Sequence, residues 1–158
     1  SVLRFVDALA DTGIAGIFYA VQLAEPSRLS RAEYAQFGQP LDMRILTAAG
    51  GFWFNMLHAH GLNVYFDLLA GYPVQALNWH DREGGPSLAA GGARFAGALS
   101  GGLDRRTVHL AAPADVRREA ADAVQQTAGQ RLILSTGCVS MTNSPLSNLW
   151  AARRSVDG

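Results

Sequence analysis

Two histidines one residue apart, His58 and His60 in LHAHG, and the single cysteine, Cys138 in LSTGC, each close a short apolar run that reads as a β-strand. Side chains at i and i+2 of a strand share a face, so His58 and His60 can point the same way, toward Cys138 if the two strands meet. Imidazole and thiolate are zinc ligands, and three of them leave one coordination position open, as catalytic zinc sites do. The metal set read from spacing is His58, His60 and Cys138. The same residues also fit a plainer role, a small buried thiol and two hydrogen-bonded imidazoles.

Composition narrows the chemistry around that set. The 158 residues are 49% hydrophobic and 16% charged, enough for one globular domain with a sizeable core. Thirteen basic and thirteen acidic side chains cancel, and no basic run exceeds an arginine pair, which argues against a nucleic-acid surface. Every basic residue is arginine, so neither a Schiff-base lysine nor a P-loop lysine lies in this sequence. One cysteine forms no internal disulfide, and no apolar stretch reaches the length of a membrane span. A cytoplasmic, soluble protein is the expectation. The chain opens at Ser1 inside an amphipathic pattern already under way, as an excised segment would.

The positioning elements follow from periodicity and punctuation. Residues 1 to 11 read as a helix stopped by Gly13, and Ile14 to Tyr19 as a buried strand. Ser30 with Glu33 forms a capping-box signature, and Pro40 opens a helix over Leu41 to Ala49. Phe54 to His58 is the next strand, with Asn63 capping a helix over Val64 to Ala70. Val74 to Trp79 is a strand, Ser87 to Gly97 a helix, and Ala98 to Ser100 a short strand running into Gly101-Gly102. Pro113 starts a strong helix over Ala114 to Ala128, Leu132 to Ser135 is the last strand, and Ser144-Pro145 caps a final helix to about Val156. Five continuous apolar strands alternate with helices, the pattern of parallel strands covered by helices.

Alternating βα units mean an α/β fold, either an open doubly wound sheet or part of a (β/α)8 barrel. The open sheet is expected to carry a glycine-rich phosphate loop, and neither GxGxxG nor a Walker A motif is present. A barrel puts its chemistry at the C-terminal strand ends, where His58, His60, Asn78, His80, Asp81, Ser100 and Cys138 fall. A whole barrel needs about 250 residues, so the expected fold is a single C-terminal partial-barrel domain over residues 1–158, about five βα units. Asn78, His80 and Asp81 could bond substrate or simply line a solvated loop. Trp79 and Trp150 read as packing residues, and His109, ahead of a helix, as a surface residue.

The ordered blocks AGIFYAVQ, LHAHG, YPVQALNW, ALSGGLD, RLILSTGC and SPLSNLWAARRSV span nearly the whole chain, and together they resemble the C-terminal half of the uroporphyrinogen decarboxylase superfamily. The last block, Gly-Cys followed by Ser-Pro and an Asn-bearing helix, is the most specific. The resemblance implies a (β/α)8 barrel, usually dimeric, with a deep cleft at the C-terminal strand ends, and substrate contacts from Tyr19, Asn78 and Trp79. One branch decarboxylates uroporphyrinogen III to coproporphyrinogen III in haem biosynthesis without a cofactor. Its carboxylate-binding arginines and its aspartate lie in the N-terminal half, outside this sequence. Ala20 stands where decarboxylases carry a hydroxyl, Cys138 where they carry the histidine of Gly-His, and Asn78 where they carry the aspartate of Leu-Asp-Trp.

The other branch contains zinc-dependent methyltransferases that pass a methyl group from a corrinoid to a thiol. Its ligands come from an H-x-C motif and the Gly-Cys of the last strand. This sequence matches at His58 and Cys138, which become the expected catalytic pair, and substitutes His60 for the middle cysteine. Three readings therefore stand side by side. The family decarboxylase needs no cofactor, the thiol methyltransferase needs zinc and a corrinoid co-substrate, and a catalytically silent segment would self-associate through exposed sheet edges.

Overall fold

Apolar runs and amphipathic stretches alternate along the sequence, and the chain resolves them into a five-stranded parallel sheet covered by helices on one face. A computed structural model describes residues 2–156. The strands are β1 (Phe18–Val21), β2 (Met56–Ala59), β3 (Ala76–Trp79), β4 (Ala98–Leu103) and β5 (Leu132–Thr136), and they neighbour one another in sequence order. Every pairing is parallel. This is the sheet of a partial (β/α) barrel, as the alternation predicts.

The connecting helices are α1 (Val2–Leu9), α2 (Arg31–Glu33), α3 (Gln39–Ala48), α4 (Phe66–Leu69), α5 (Leu88–Gly92), α6 (Arg105–Leu110), α7 (Pro113–Thr127) and α8 (Leu146–Arg154). Ser30 caps α2 with the expected reciprocal box, its side chain accepting from the Glu33 N–H while Glu33 accepts from the Ser30 N–H. No break precedes Pro40. A π turn over Tyr34–Gly38 joins α2 to α3, and the Gln39 N–H reaches back to the Tyr34 carbonyl. That extra residue in the turn lets the helix continue past a proline, which has no N–H of its own to donate. Gly13 stops the first helical stretch in the left-handed conformation at φ 75°. Ser1 lies outside the described residues.

Several boundaries depart from the sequence expectation. Strands expected at Ile14 and Phe54 begin instead at Phe18 and Met56. Buried Asn55 explains the delay: its Oδ1 accepts from the Ile17 N–H at 3.1 Å, its own N–H donates to Gln75 Oε1 at 2.7 Å, and its amide nitrogen donates to the Ala49 carbonyl. The Ile17 rung thus goes to a side chain, although the Phe54 N–H still donates to the Ala15 carbonyl at 3.0 Å. The helix expected from Val64 shrinks to α4, with Tyr65 rather than Asn63 at its start. Helix α5 ends at Gly92, where two consecutive glycines weaken it. Gly101 and Gly102 lie within β4 rather than in a loop, and α6 was not foreseen. Helix α8 starts after Pro145 with no side-chain cap from Ser144.

The main core fills the helix-covered side of the sheet, where Leu57, Leu77, Trp79 and Leu99 meet Leu69, Phe66, Leu88 and Tyr34. A second cluster of Leu103, Val108, Val116, Ala120 and Ala151 lies beneath α6, α7 and α8. Because strand side chains alternate, the residues between those leucines point to the opposite face. No helix of the described residues is long and apolar enough to cross a membrane.

Candidate metal centre

The parallel register puts Ala20, His58, Asn78 and Ser100 in one row across β1 to β4. His58, Asn78 and Ser100 of this row face away from the helices and floor a cavity of about 590 Å³ lined also by Phe18, Met56, Ile133 and Val139. At its C-terminal rim stand His60, one residue past β2, His80, one past β3, and Cys138, two past β5. His58, His60, His80 and Cys138 each bring a donor atom into a group in which all four lie within 4.8 Å of one another. That spread is wider than the roughly 3.3–3.8 Å edge of a zinc tetrahedron. Cys138 Sγ already approaches His60 Nδ1 at 3.7 Å.

Gly137 is what lets Cys138 reach the group. A Cβ at this position would lie 2.9 Å from the His80 Cα and closer still to the Trp79 carbonyl oxygen. The end of β5 therefore rests directly on the backbone at the end of β3, and a side chain on residue 137 would separate them.

Each histidine is held differently. His58 is buried, stacks on Phe18 at 5.7 Å between ring centroids, and its Nδ1 lies 2.6 Å from Asn78 Oδ1. His80 is 3% exposed, and its Nδ1 lies 3.3 Å from a Glu83 carboxylate oxygen that Arg105 also holds, at 3.2 Å. Both ring nitrogens of His80 are buried with no hydrogen-bond partner among the described residues, the Glu83 approach being an ion-pair contact only. An orphaned, buried imidazole nitrogen beside a cysteine and two more histidines is what a metal ligand looks like before the metal arrives. Burial lowers the proton affinity of His58 and of His80, and neighbouring His60 adds to the effect in both. Both rings thus remain neutral at neutral pH, the state a metal requires. His60 is exposed.

The sequence-predicted set therefore does come together, and a fourth residue joins it. His80 was read among residues that bond substrate or line a solvated loop, yet it is as buried as the core. Its signal lies in aligning LHAH with LNWH: His58 pairs with Asn78 in the register, so His60 and His80 occupy equivalent places beyond their strands.

Other expected site residues lie elsewhere. Trp79 points into the helix-side core with no exposure, packs edge-on against Phe66 at 4.9 Å and donates its indole N–H to the Pro86 carbonyl at 2.7 Å. Tyr19 is on that side too, donating to Asp42 Oδ1 at 2.7 Å, while Tyr34 and Tyr72 both donate to Oδ2. One residue of strand offset from His58 sends both away from the cavity. They are packing and hydrogen-bonding residues rather than substrate contacts. Asn78 lies on the site face but is buried beneath His58. Asp81 is no solvated loop residue: its carboxylate is 1% exposed, accepts from the Gly102 N–H, and is pushed up to about 6 by burial. His109 sits in the last turn of α6 with its Nδ1 buried.

Comparison with known proteins agrees with this framework. The family model described as uroporphyrinogen decarboxylase (URO-D) matches residues 1–158. A solved methyltransferase from Methanosarcina mazei superposes with a TM-score of 0.84 at 20% identity, over 99% of this chain and 45% of that one. The chain thus spans less than half the length of that structure, and the likeness is one of fold. No curated protein matches.

Proposed function

Because the chain belongs to the uroporphyrinogen decarboxylase (URO-D) family, we propose that it carries a zinc centre on that framework and uses it to prepare a thiol as the acceptor in methyl transfer from a corrinoid. The observation that carries this reading is the convergence of His58, His60, His80 and Cys138 at one rim of the sheet. When bound, zinc would lower the proton affinity of an incoming thiol at neutral pH and hold it for attack on a methyl group.

The chain's own residues supply the rest. His58, His80 and Cys138 hold the metal from three different strand ends, so the site depends on the closed register of β2, β3 and β5. Four protein ligands make a closed shell, whereas catalysis needs an open position. His60, the exposed member, is the residue that would leave a position for substrate when the metal is held by His58, His80 and Cys138. Phe18, Met56, Ile133 and Val139 form an apolar wall beside it that limits water around the developing thiolate.

The family model's description supports a second reading, metal-free decarboxylation of uroporphyrinogen III to coproporphyrinogen III. A third, a silent segment whose β1 and β5 edges pair with another copy, is supported by the exposed Phe18 on the edge strand β1. One experiment separates them: metal content after dialysis against metal-free buffer, for wild type and Cys138→Ala, with sedimentation of both. About one zinc per chain in the wild type and none in the variant supports the metal centre. No zinc in either, with coproporphyrinogen formed in the presence of chelator, supports the decarboxylase. No zinc, no product and a defined dimer support the third.

A further inference from the structure

We infer that Asn78 is a positioning residue that fixes the tautomer of His58, placing the ring proton on Nδ1 and leaving the Nε2 lone pair free for a ligand. The role matters to the metal centre proposed above and rests on that reading, though the tautomer itself does not require a metal.

The argument begins at the far end of the Asn78 amide. Its nitrogen lies 2.9 Å from the Ser100 carbonyl oxygen, 3.1 Å from the Thr136 carbonyl oxygen and 3.3 Å from Ser100 Oγ. Backbone carbonyls only accept hydrogen bonds, so the NH₂ group must face them. Flipping the amide would set its oxygen against two carbonyl oxygens in a buried site, and the Ser100 and Ser135 hydroxyls, at 3.3 and 3.5 Å, lie farther off than either carbonyl. The orientation of Asn78 is therefore decided by β4 and β5, independently of the histidine.

With the nitrogen so placed, Oδ1 faces His58 Nδ1 at 2.6 Å and can only accept. His58 Nδ1 must donate. In a neutral imidazole the other nitrogen then carries the lone pair. Both side chains are buried, His58 at 7% and Asn78 at 5% exposure, so water does not compete for the bond. His58, Asn78 and Ser100 lie in one register row, and the relay runs across three strands in a straight line. Glu83 stands at the corresponding nitrogen of His80, 3.3 Å from Nδ1. That approach is an ion-pair contact and no hydrogen bond, so among these histidines His58 is the one whose ring an outer partner orients through Nδ1.

The test uses ¹⁵N-histidine-labelled, metal-free protein at mildly alkaline pH, with ring nitrogens read by long-range ¹H–¹⁵N correlation and His58 assigned from its loss in His58→Gln. The wild type is expected to show a protonated Nδ1 and an unprotonated Nε2 at His58. In Asn78→Leu the proton moves to Nε2, and zinc affinity, measured by competition with a chromophoric chelator, falls on the order of 10- to 100-fold. A wild-type His58 with its proton on Nε2 overturns the inference without any variant being needed. So does a folded Asn78→Leu with unchanged tautomer and affinity. Failure of all forms to take up zinc overturns the metal centre instead, and the wild-type tautomer alone then decides the role of Asn78.

Discussion

Replacing Gly137 with alanine tests whether the contact between the ends of β5 and β3 is what delivers Cys138 to the histidines. The added Cβ would lie 2.9 Å from the His80 Cα, whereas ordinary contact begins at 3.4 Å. The strand end must therefore withdraw by at least 0.5 Å, and further to clear the Trp79 carbonyl oxygen, because both obstacles are backbone and no rotamer change relieves them. Metal–ligand distances tolerate about 0.2 Å, so this withdrawal is enough to weaken a site that contains both Cys138 and His80. Gly137→Ala is expected to lose on the order of 10- to 100-fold in zinc affinity and about 1–3 kcal/mol in stability. Gly50→Ala is the control: nothing lies within 4 Å of its Cβ, and the backbone there is not left-handed. That variant should be neutral or stabilised by about 0.4–1 kcal/mol through the unfolded chain. The assay is cobalt(II) titration followed by the thiolate-to-cobalt charge-transfer band, alongside urea unfolding in chelator. An unchanged cobalt spectrum and affinity in a folded Gly137→Ala would show that Cys138 does not depend on this contact, and the reasoning fails.

Three further outcomes are expected. Tyr19→Phe should cost about 1.5 kcal/mol in urea unfolding, through the lost bond to the Asp42 carboxylate, and leave zinc affinity and KM alone; a raised KM at unchanged stability would restore Tyr19 as a substrate contact. Trp79→Ala should destabilise by about 3–5 kcal/mol, since a fully buried indole leaves a cavity between Phe66 and the sheet; a loss under 1 kcal/mol would contradict its place in the core. Asp81, pushed up to about 6 from the ordinary 3.8 by burial, is protonated in both states below that lower value and ionised in both above the higher one. Its burial cost is therefore small at pH 4 and nearly complete at neutral pH, so wild type should lose about 2 kcal/mol relative to Asp81→Asn as pH rises from 4 to 7. Metal-free urea unfolding at the two pH values measures the difference, and a pH-independent gap would refute the assignment.

The order of elements was legible in the sequence because it depends on local periodicity and punctuation. Apolar runs of strand length, the capping box at Ser30 and Glu33, and the glycine at residue 13 each act within a few residues. So was the end of the sheet that carries the chemistry, since His58, His60 and Cys138 all close strand-like runs. The strand starts were less legible. The run from Ile14 is as apolar as the strand itself, and only the side chain of Asn55, 38 residues from Ile17, intercepts the Ile17 hydrogen bond.

What the sequence determined by itself was an α/β chain of five strands with imidazole and thiol groups at their C-terminal ends, because spacing along one strand settles which side chains share its face. Facing across strands was decided only by the tertiary structure. Register differing by a single residue sends Trp79 and Tyr19 to the core and Asn78 to the site. The residue that the sequence did not single out, His80, joins the group because the loop after β3 places Glu83 and Arg105 beside it and the end of β5 rests on its backbone through Gly137. The Glu83–Arg105 and Gly137–His80 contacts join residues more than 20 positions apart in the chain, and only packing brings them within reach.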